Sequence, residues 1–200
     1  RPSMLLILSS IVLWFMGYNA VTTAFSRYVT RESFGMTAKQ GSFILLVAVV
    51  AATLAFVPIG FISSKIGRKK SIMGGIVLLV AVFATSTLYT GFSPLMYVSF
   101  AVAGIAWAAI NVNSLPMVLE LSKGADVGRF TGFYYTASMA AQIATPIISG
   151  ALLQYVGYWT LFPYGALFIG LAFFTMLFVR HGDSKPILPK SKLEALDAGD

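Results

Sequence analysis

Four stretches without a charged residue dominate the chain: residues 2–26, 40–64, 71–119 and 130–179. A helix needs about 20 mostly apolar residues to cross a hydrocarbon core of roughly 30 Å. The first two stretches are one span each, and the last two are long enough for two. "TGFSP" at 90–94 and "QYVGYW" at 154–159 supply turn residues near the middle of each long stretch. The pattern predicts six membrane helices at about 3–26, 41–63, 71–90, 94–119, 130–154 and 158–179, followed by a polar tail over 181–200 with two prolines. The runs are continuously apolar and do not alternate over ten-residue segments, which excludes a transmembrane barrel. The first run is too long for a cleaved leader, and five more follow it.

Composition agrees with an all-α membrane protein. With 58% hydrophobic and 10% charged residues, the chain could not clothe a water-soluble domain. The net charge of +7 is not a nucleic-acid footprint, because its distribution follows the spans. Six crossings put Arg1, Lys65, Arg68, Lys69, Lys70, Lys123, Arg129, Arg180, Lys185, Lys190 and Lys192 on one side, and Arg27, Arg31 and Lys39 on the other. This bias predicts a multi-pass protein of the cell membrane with both termini cytoplasmic. Cysteine is absent, so thiol chemistry and thiolate metal sites are excluded, and no cofactor is expected. A span opens almost at once with no initiator methionine, which predicts a piece of a longer polypeptide.

Polar residues inside the spans carry the functional signal, since each must find a partner in the bundle or face water. The first span places Asn19, Thr22, Thr23 and Ser26 at steps of three and four, beside Tyr18. In the fourth span Trp107, Asn111 and Ser114 share one face, while Asn113 lies about 200° round from Asn111. The fifth carries Tyr135, Ser138, Gln142, Thr145 and Ser149 in one stripe, beside small residues Ala137, Ala141 and Ala144 suited to close packing. The third and sixth spans have no polar face and are expected to be the outer, lipid-facing pair. Thr145 and Ser149 are expected to bond to their own backbone near Pro146. No Asp, Glu, Lys, Arg or His lies within any predicted span, so no proton or sodium carboxylate is expected within the spans of this chain.

The loop between the second and third spans reads "GFISSKIGRKKS" over 60–71. It resembles the cytoplasmic loop motif of the major facilitator superfamily, Gly-x-x-x-Asp-Arg-x-Gly-Arg-Arg/Lys. Gly60, Gly67, Arg68 and Lys69 match, Lys65 stands for the basic residue, and Ser64 stands where the motif has an acid. "WFMGYNAVTTAFSRY", "WAAINVNSLPMVLEL" and "GRFTGFYYTASMAAQIATPIISG" are together similar to helices of the sugar:cation symporter branch, the sucrose-transporter-like or glycoside-pentoside-hexuronide group. The resemblance implies one half of a twelve-helix fold, built as a 3+3 inverted repeat. The C-terminal half fits, although an N-terminal half ending in its central loop would look much the same.

Several roles follow from that resemblance. The first and fourth spans would line a midplane site, and the second and fifth would meet the N-terminal six-helix half. Sugar hydroxyls need donor–acceptor groups and flat apolar surface. Asn19, Asn111 and Gln142 would supply the first, and Trp14, Trp107, Tyr18 and Tyr135 the second. Gly60, Lys65, Gly67, Arg68 and Lys69 would form a cytoplasmic gate in which Glu120 pairs with Arg68 and with Arg129. A cation symporter would then take its coupling proton or sodium residue from the other half. Drug-like solute efflux, or a non-transport six-helix scaffold or channel, are the competing readings. Catalysis is excluded by the lack of a buried His, Cys or carboxylate constellation.

Overall fold

The computed structural model describes residues 2–122 and 124–183. Among them, six helices are long and apolar enough to cross a membrane. These are α1 (Pro2–Val29), α2 (Ala38–Ile66), α3 (Arg68–Ser86), α4 (Leu95–Leu119), α5 (Val127–Tyr155) and α6 (Leu161–Leu177), with short 3₁₀ turns before α5 and α6. The expected polar tail lies outside the described residues from 184 onward, as do Arg1 and Lys123.

Several helices run a turn past the charge-free stretches. α2 starts at Ala38 because Thr37 and Gln40 form a capping box, with the Gln40 amide donating to Thr37 Oγ1 (3.2 Å) and the Thr37 amide to Gln40 Oε1 (2.9 Å). The charges these extensions include, such as Arg27, Lys39 and Lys65, sit in end turns and are exposed, where long side chains reach water.

The helices pack in the order α2, α4, α3, α6, α1, α5. Exchanging the first three helices with the last three maps this order onto itself in reverse, as a 3+3 repeat requires. The α1–α6 contact is close, since a Cβ on Gly17 would lie 2.8 Å from the Gly165 carbonyl oxygen. The core runs through Ile7, Ile11, Phe25, Ile76, Phe83, Phe100 and Phe162.

The third and sixth spans, expected to be the outer pair, each keep an exposed apolar face, with Val77 and Leu78 on α3 and Leu167, Leu171 and Phe174 on α6. α3 and α6 pack against each other as well as against α4 and α1, and the longest exposed apolar stripes run along α2 and α5 at the two ends of the order. On α2 the stripe is Phe43, Leu46, Val50, Leu54, Val57 and Phe61. A helix end-on in a row of neighbours has only one covered side, whatever its polarity.

Candidate functional site

α1 and α4 meet through aromatic rings. Tyr18 stacks on Trp107 with centroids 3.9 Å apart and 5° between the planes, and Phe15 meets Trp107 edge-on at 5.3 Å. Asn19 and Asn111 flank this platform. Asn19 Nδ2 donates to the Phe15 carbonyl at 2.9 Å and Asn111 Nδ2 to the Trp107 carbonyl at 3.4 Å. These bonds tie each amide to its own helix and leave its oxygen and second N–H for another partner. Tyr18, Asn19, Trp107 and Asn111 are all half-buried. Cavities of about 560 and 660 Å³ lie elsewhere, lined by Ser3, Arg180 and His181 and by Arg27, Gln154 and Tyr158 respectively.

Trp14 does not belong to the platform. Its ring is 0% exposed within the core, and its Nε1 has no partner among the described residues. The α5 stripe also divides. Ser138, Thr145 and Ser149 are buried, and each hydroxyl donates to a carbonyl of its own helix, with Thr145 to Ala141 O at 2.6 Å and Ser149 to Thr145 O at 2.7 Å. Tyr135 (49% exposed) and Gln142 face outward. At 100° per residue the stripe spans about 80°, so its two edges can lie on either side of a helix contact line.

Two interhelical hydrogen bonds brace α4 against different neighbours. Asn113 Nδ2 donates to Ser63 Oγ of α2 at 2.8 Å, and Ser114 Oγ lies 3.2 Å from Tyr134 Oη of α5. A double-mutant cycle on Ser63→Ala and Asn113→Ala, followed by unfolding in detergent, should give a coupling of about 0.6–1.7 kcal/mol, the range for such bonds inside a bundle.

The loop after α2 is built around Gly67. Its φ of +102° is one that side chains rarely adopt, and its N–H closes α2 on Ser63 O at 2.9 Å. The next residue opens α3, and Arg68 Nη1 reaches Glu120 Oε2 at the end of α4, 2.6 Å away, with both side chains 22% exposed. Arg129 does not join them as expected. It is exposed, with its guanidinium 5.4 Å above the Phe133 ring, because the turn preceding α5 starts a helix whose first residues project away from the bundle. Gly60 is half-buried near Val112, Lys65 is exposed, and Ser64 Oγ donates to its own helix at Phe61 O.

Sequence reasoning missed a second tie at this end. Gly67 has no side chain with which to cap α3, and Asp183 does so instead, its Oδ1 accepting the Lys69 amide at 2.8 Å. In return Lys69 Nζ donates to carbonyls at and just past the end of α6, Leu177 O at 2.9 Å and Val179 O at 2.6 Å. His181, exposed itself, places Nδ1 3.0 Å from Ser3 Oγ, which also accepts the Arg180 amide.

The six membrane helices fall into two interlocked groups of three, with ring and amide groups on the leading helix of each group. Residues 7–197 match the Major Facilitator Superfamily, and the chain belongs to that family. This is a family of membrane transporters rather than enzymes. Curated relatives are the "MFS-type transporter ppzB" of Metarhizium rileyi (strain RCEF 4871), 28% identical over 124 residues, and its namesake in Metarhizium majus (strain ARSEF 297), 27% identical. Each match takes in 60% of this chain and about a quarter of the relative (25% and 26%). Among solved structures, a peptide transporter POT in complex with sulfate superposes with a TM-score of 0.74 at 15% identity, covering 98% of this chain and 42% of that one. The human organic anion transporter MFSD10 (TETRAN) gives 0.68 at 13%, covering 91% and 48%. At these identities the likeness is one of fold: a half of a major facilitator architecture.

Proposed function

We propose that the chain is the C-terminal half of a transporter that moves a sugar or glycoside by alternating access, working against an N-terminal half that covers the α2 and α5 faces. The observation that carries this reading is the Tyr18–Trp107 platform between Asn19 and Asn111. It offers flat apolar surface for a sugar ring and neutral donor–acceptor groups for its hydroxyls. The solved neighbours are named for peptides and organic anions. No charged side chain stands on this platform, which favours an uncharged polar solute. Tyr135 and Gln142, outward on α5, would then meet substrate or the other half. Any coupling carboxylate for a proton or sodium ion would come from the N-terminal half.

The end that carries the α2–α3 and α4–α5 loops holds Lys65, Arg68, Lys69, Lys70, Arg129 and Arg180, against Arg27, Arg31 and Lys39 at the other. We place the basic end in the cytoplasm of a cell-membrane transporter. There the Arg68–Glu120 pair acts as a gate tie that holds while the transporter faces outward and parts when it opens inward.

Tryptophan fluorescence of the full transporter tests the substrate reading through replacement, one at a time, of the tryptophans this half contributes. Sugars or glycosides should quench a signal that Trp107→Phe removes and Trp14→Phe leaves in place. Trp107→Ala should weaken binding by roughly 10- to 100-fold, the loss expected when a stacking partner worth about 1–3 kcal/mol is removed. Quenching by amphipathic drugs and not by sugars would transfer the site to efflux, and no response from Trp107 to any solute would discard it.

A further inference from the structure

We propose that Asp183 is a positioning residue of the cytoplasmic gate, holding the first turn of α3 in the place from which Arg68 reaches Glu120. This deepens the gate proposed above and rests on it.

The geometry is reciprocal. An α-helix presents unpaired N–H groups and partial positive charge at its start, and unpaired carbonyls and partial negative charge at its end. The start of α3 receives the Asp183 carboxylate, and the end of α6 receives the Lys69 ammonium. The start of α3 is therefore capped by a charged residue that follows α6, 114 positions away, and the end of α6 by one from α3, 108 and 110 positions from the carbonyls it meets. Gly67 fits this arrangement twice over: it supplies the backbone angle, and it leaves room, since a Cβ there would lie 3.1 Å from Asp183 Oδ1. The segment carrying Asp183 is itself anchored, through the Arg180 amide and His181 to Ser3 on α1.

The consequence for the gate comes from adjacency. Arg68 and Lys69 are consecutive, so the peptide that Asp183 holds is the one joined to Arg68. Arg68 ties α3 to α4, while Lys69 ties it to α6, and both ties cross between the two groups of three helices. If the first turn of α3 frays, the Arg68 side chain loses its fixed base and Glu120 loses a partner at a set distance.

Two readouts in the full transporter test this. Asp183→Ala should speed hydrogen exchange of the amides at the start of α3 by roughly five- to tenfold, the factor that one cap is worth. It should also raise thiol labelling of a cysteine introduced at Ser122, beside the gate in a half that has no cysteine of its own, with any cysteine of the other half replaced beforehand. Asp183→Asn keeps an acceptor oxygen and should fall between Ala and the native residue in both. Because both residues serve one tie, Asp183→Ala with Glu120→Gln should label no faster than the faster single variant. Unchanged exchange in Asp183→Ala overturns the proposal by itself. Faster exchange with unchanged labelling, where Glu120→Gln raises labelling, leaves the gate standing and reduces Asp183 to a structural cap. Unchanged labelling in Glu120→Gln overturns the gate, and the positioning role with it.

Discussion

Gly104→Val is expected to prevent α2 from docking on α4, so that the protein loses its monodisperse peak in detergent size-exclusion chromatography. A Cβ at this position would overlap the Ala48 carbonyl oxygen and lie 2.9 Å from the Ala48 carbonyl carbon and 3.1 Å from the Ala52 nitrogen. All three are backbone atoms, so no rotamer change relieves the overlap and the helices must separate. Overpacking a core costs about 1–3 kcal/mol where side chains can yield, and the cost here should lie above that range. Separation also forfeits dispersion along the whole contact and the Ser63–Asn113 bond. α2 depends on this contact more than the other helices do, since α4 is its main neighbour and its far side is exposed. Gly74→Val is the matched control. No atom lies within 4 Å of its Cβ position, and that variant should run as the native protein does.

The helices were legible because a membrane span announces itself by composition, without any need for partners. Their ends were less so. Lys39 and Arg129 interrupt the hydrophobic runs, yet α2 and α5 continue past them, because beyond the hydrocarbon a helix tolerates charge. The platform was half legible: Tyr18, Asn19, Trp107 and Asn111 show themselves as polar or amphipathic groups at helical spacing. Trp14 shows the same spacing and sits in the core, since an indole is apolar enough for either place. The Ser63–Asn113 bond illustrates a different limit. The 200° offset of Asn113 told that it points away from Asn111, but which helix receives it is a matter of packing. Arg68 with Glu120 came from a family resemblance, as nothing local links residues 52 positions apart. Asp183 was out of reach altogether. It follows a span and precedes a proline-containing polar segment, and no pattern in those residues tells that the chain turns back onto α3.

Reversing the Arg68–Glu120 pair should have the largest effect on transport, and its direction comes from the helix dipoles. Arg68 stands at the start of α3, where partial positive charge disfavours a cation, and Glu120 at the end of α4, where partial negative charge disfavours an anion. Each charge opposes the dipole of its own helix and is kept by the other at 2.6 Å. Static stability alone would favour the opposite assignment, whereas the proposed gate tie, which would part once per cycle, benefits from being no stronger than it needs to be. Arg68→Glu by itself brings two carboxylates together, so labelling at Ser122 should rise and transport should fall by roughly tenfold or more, as for like charges forced into one partly buried site. Glu120→Arg alone should act in the same sense, since it faces a loop already bearing Lys65, Lys69 and Lys70. The double reversal restores attraction and aligns both charges with their dipoles, a gain of roughly 1–4 kcal/mol less whatever repulsion Asp183 exerts on the new acid at α3. It should therefore label more slowly than the native protein and unfold at a higher temperature, while transporting more slowly because inward opening must break a stronger tie. Native-like transport in the reversed protein together with native-like labelling would mean that the pair is an ordinary ion pair outside the rate-determining motion. Slow labelling combined with slow transport places it within that motion.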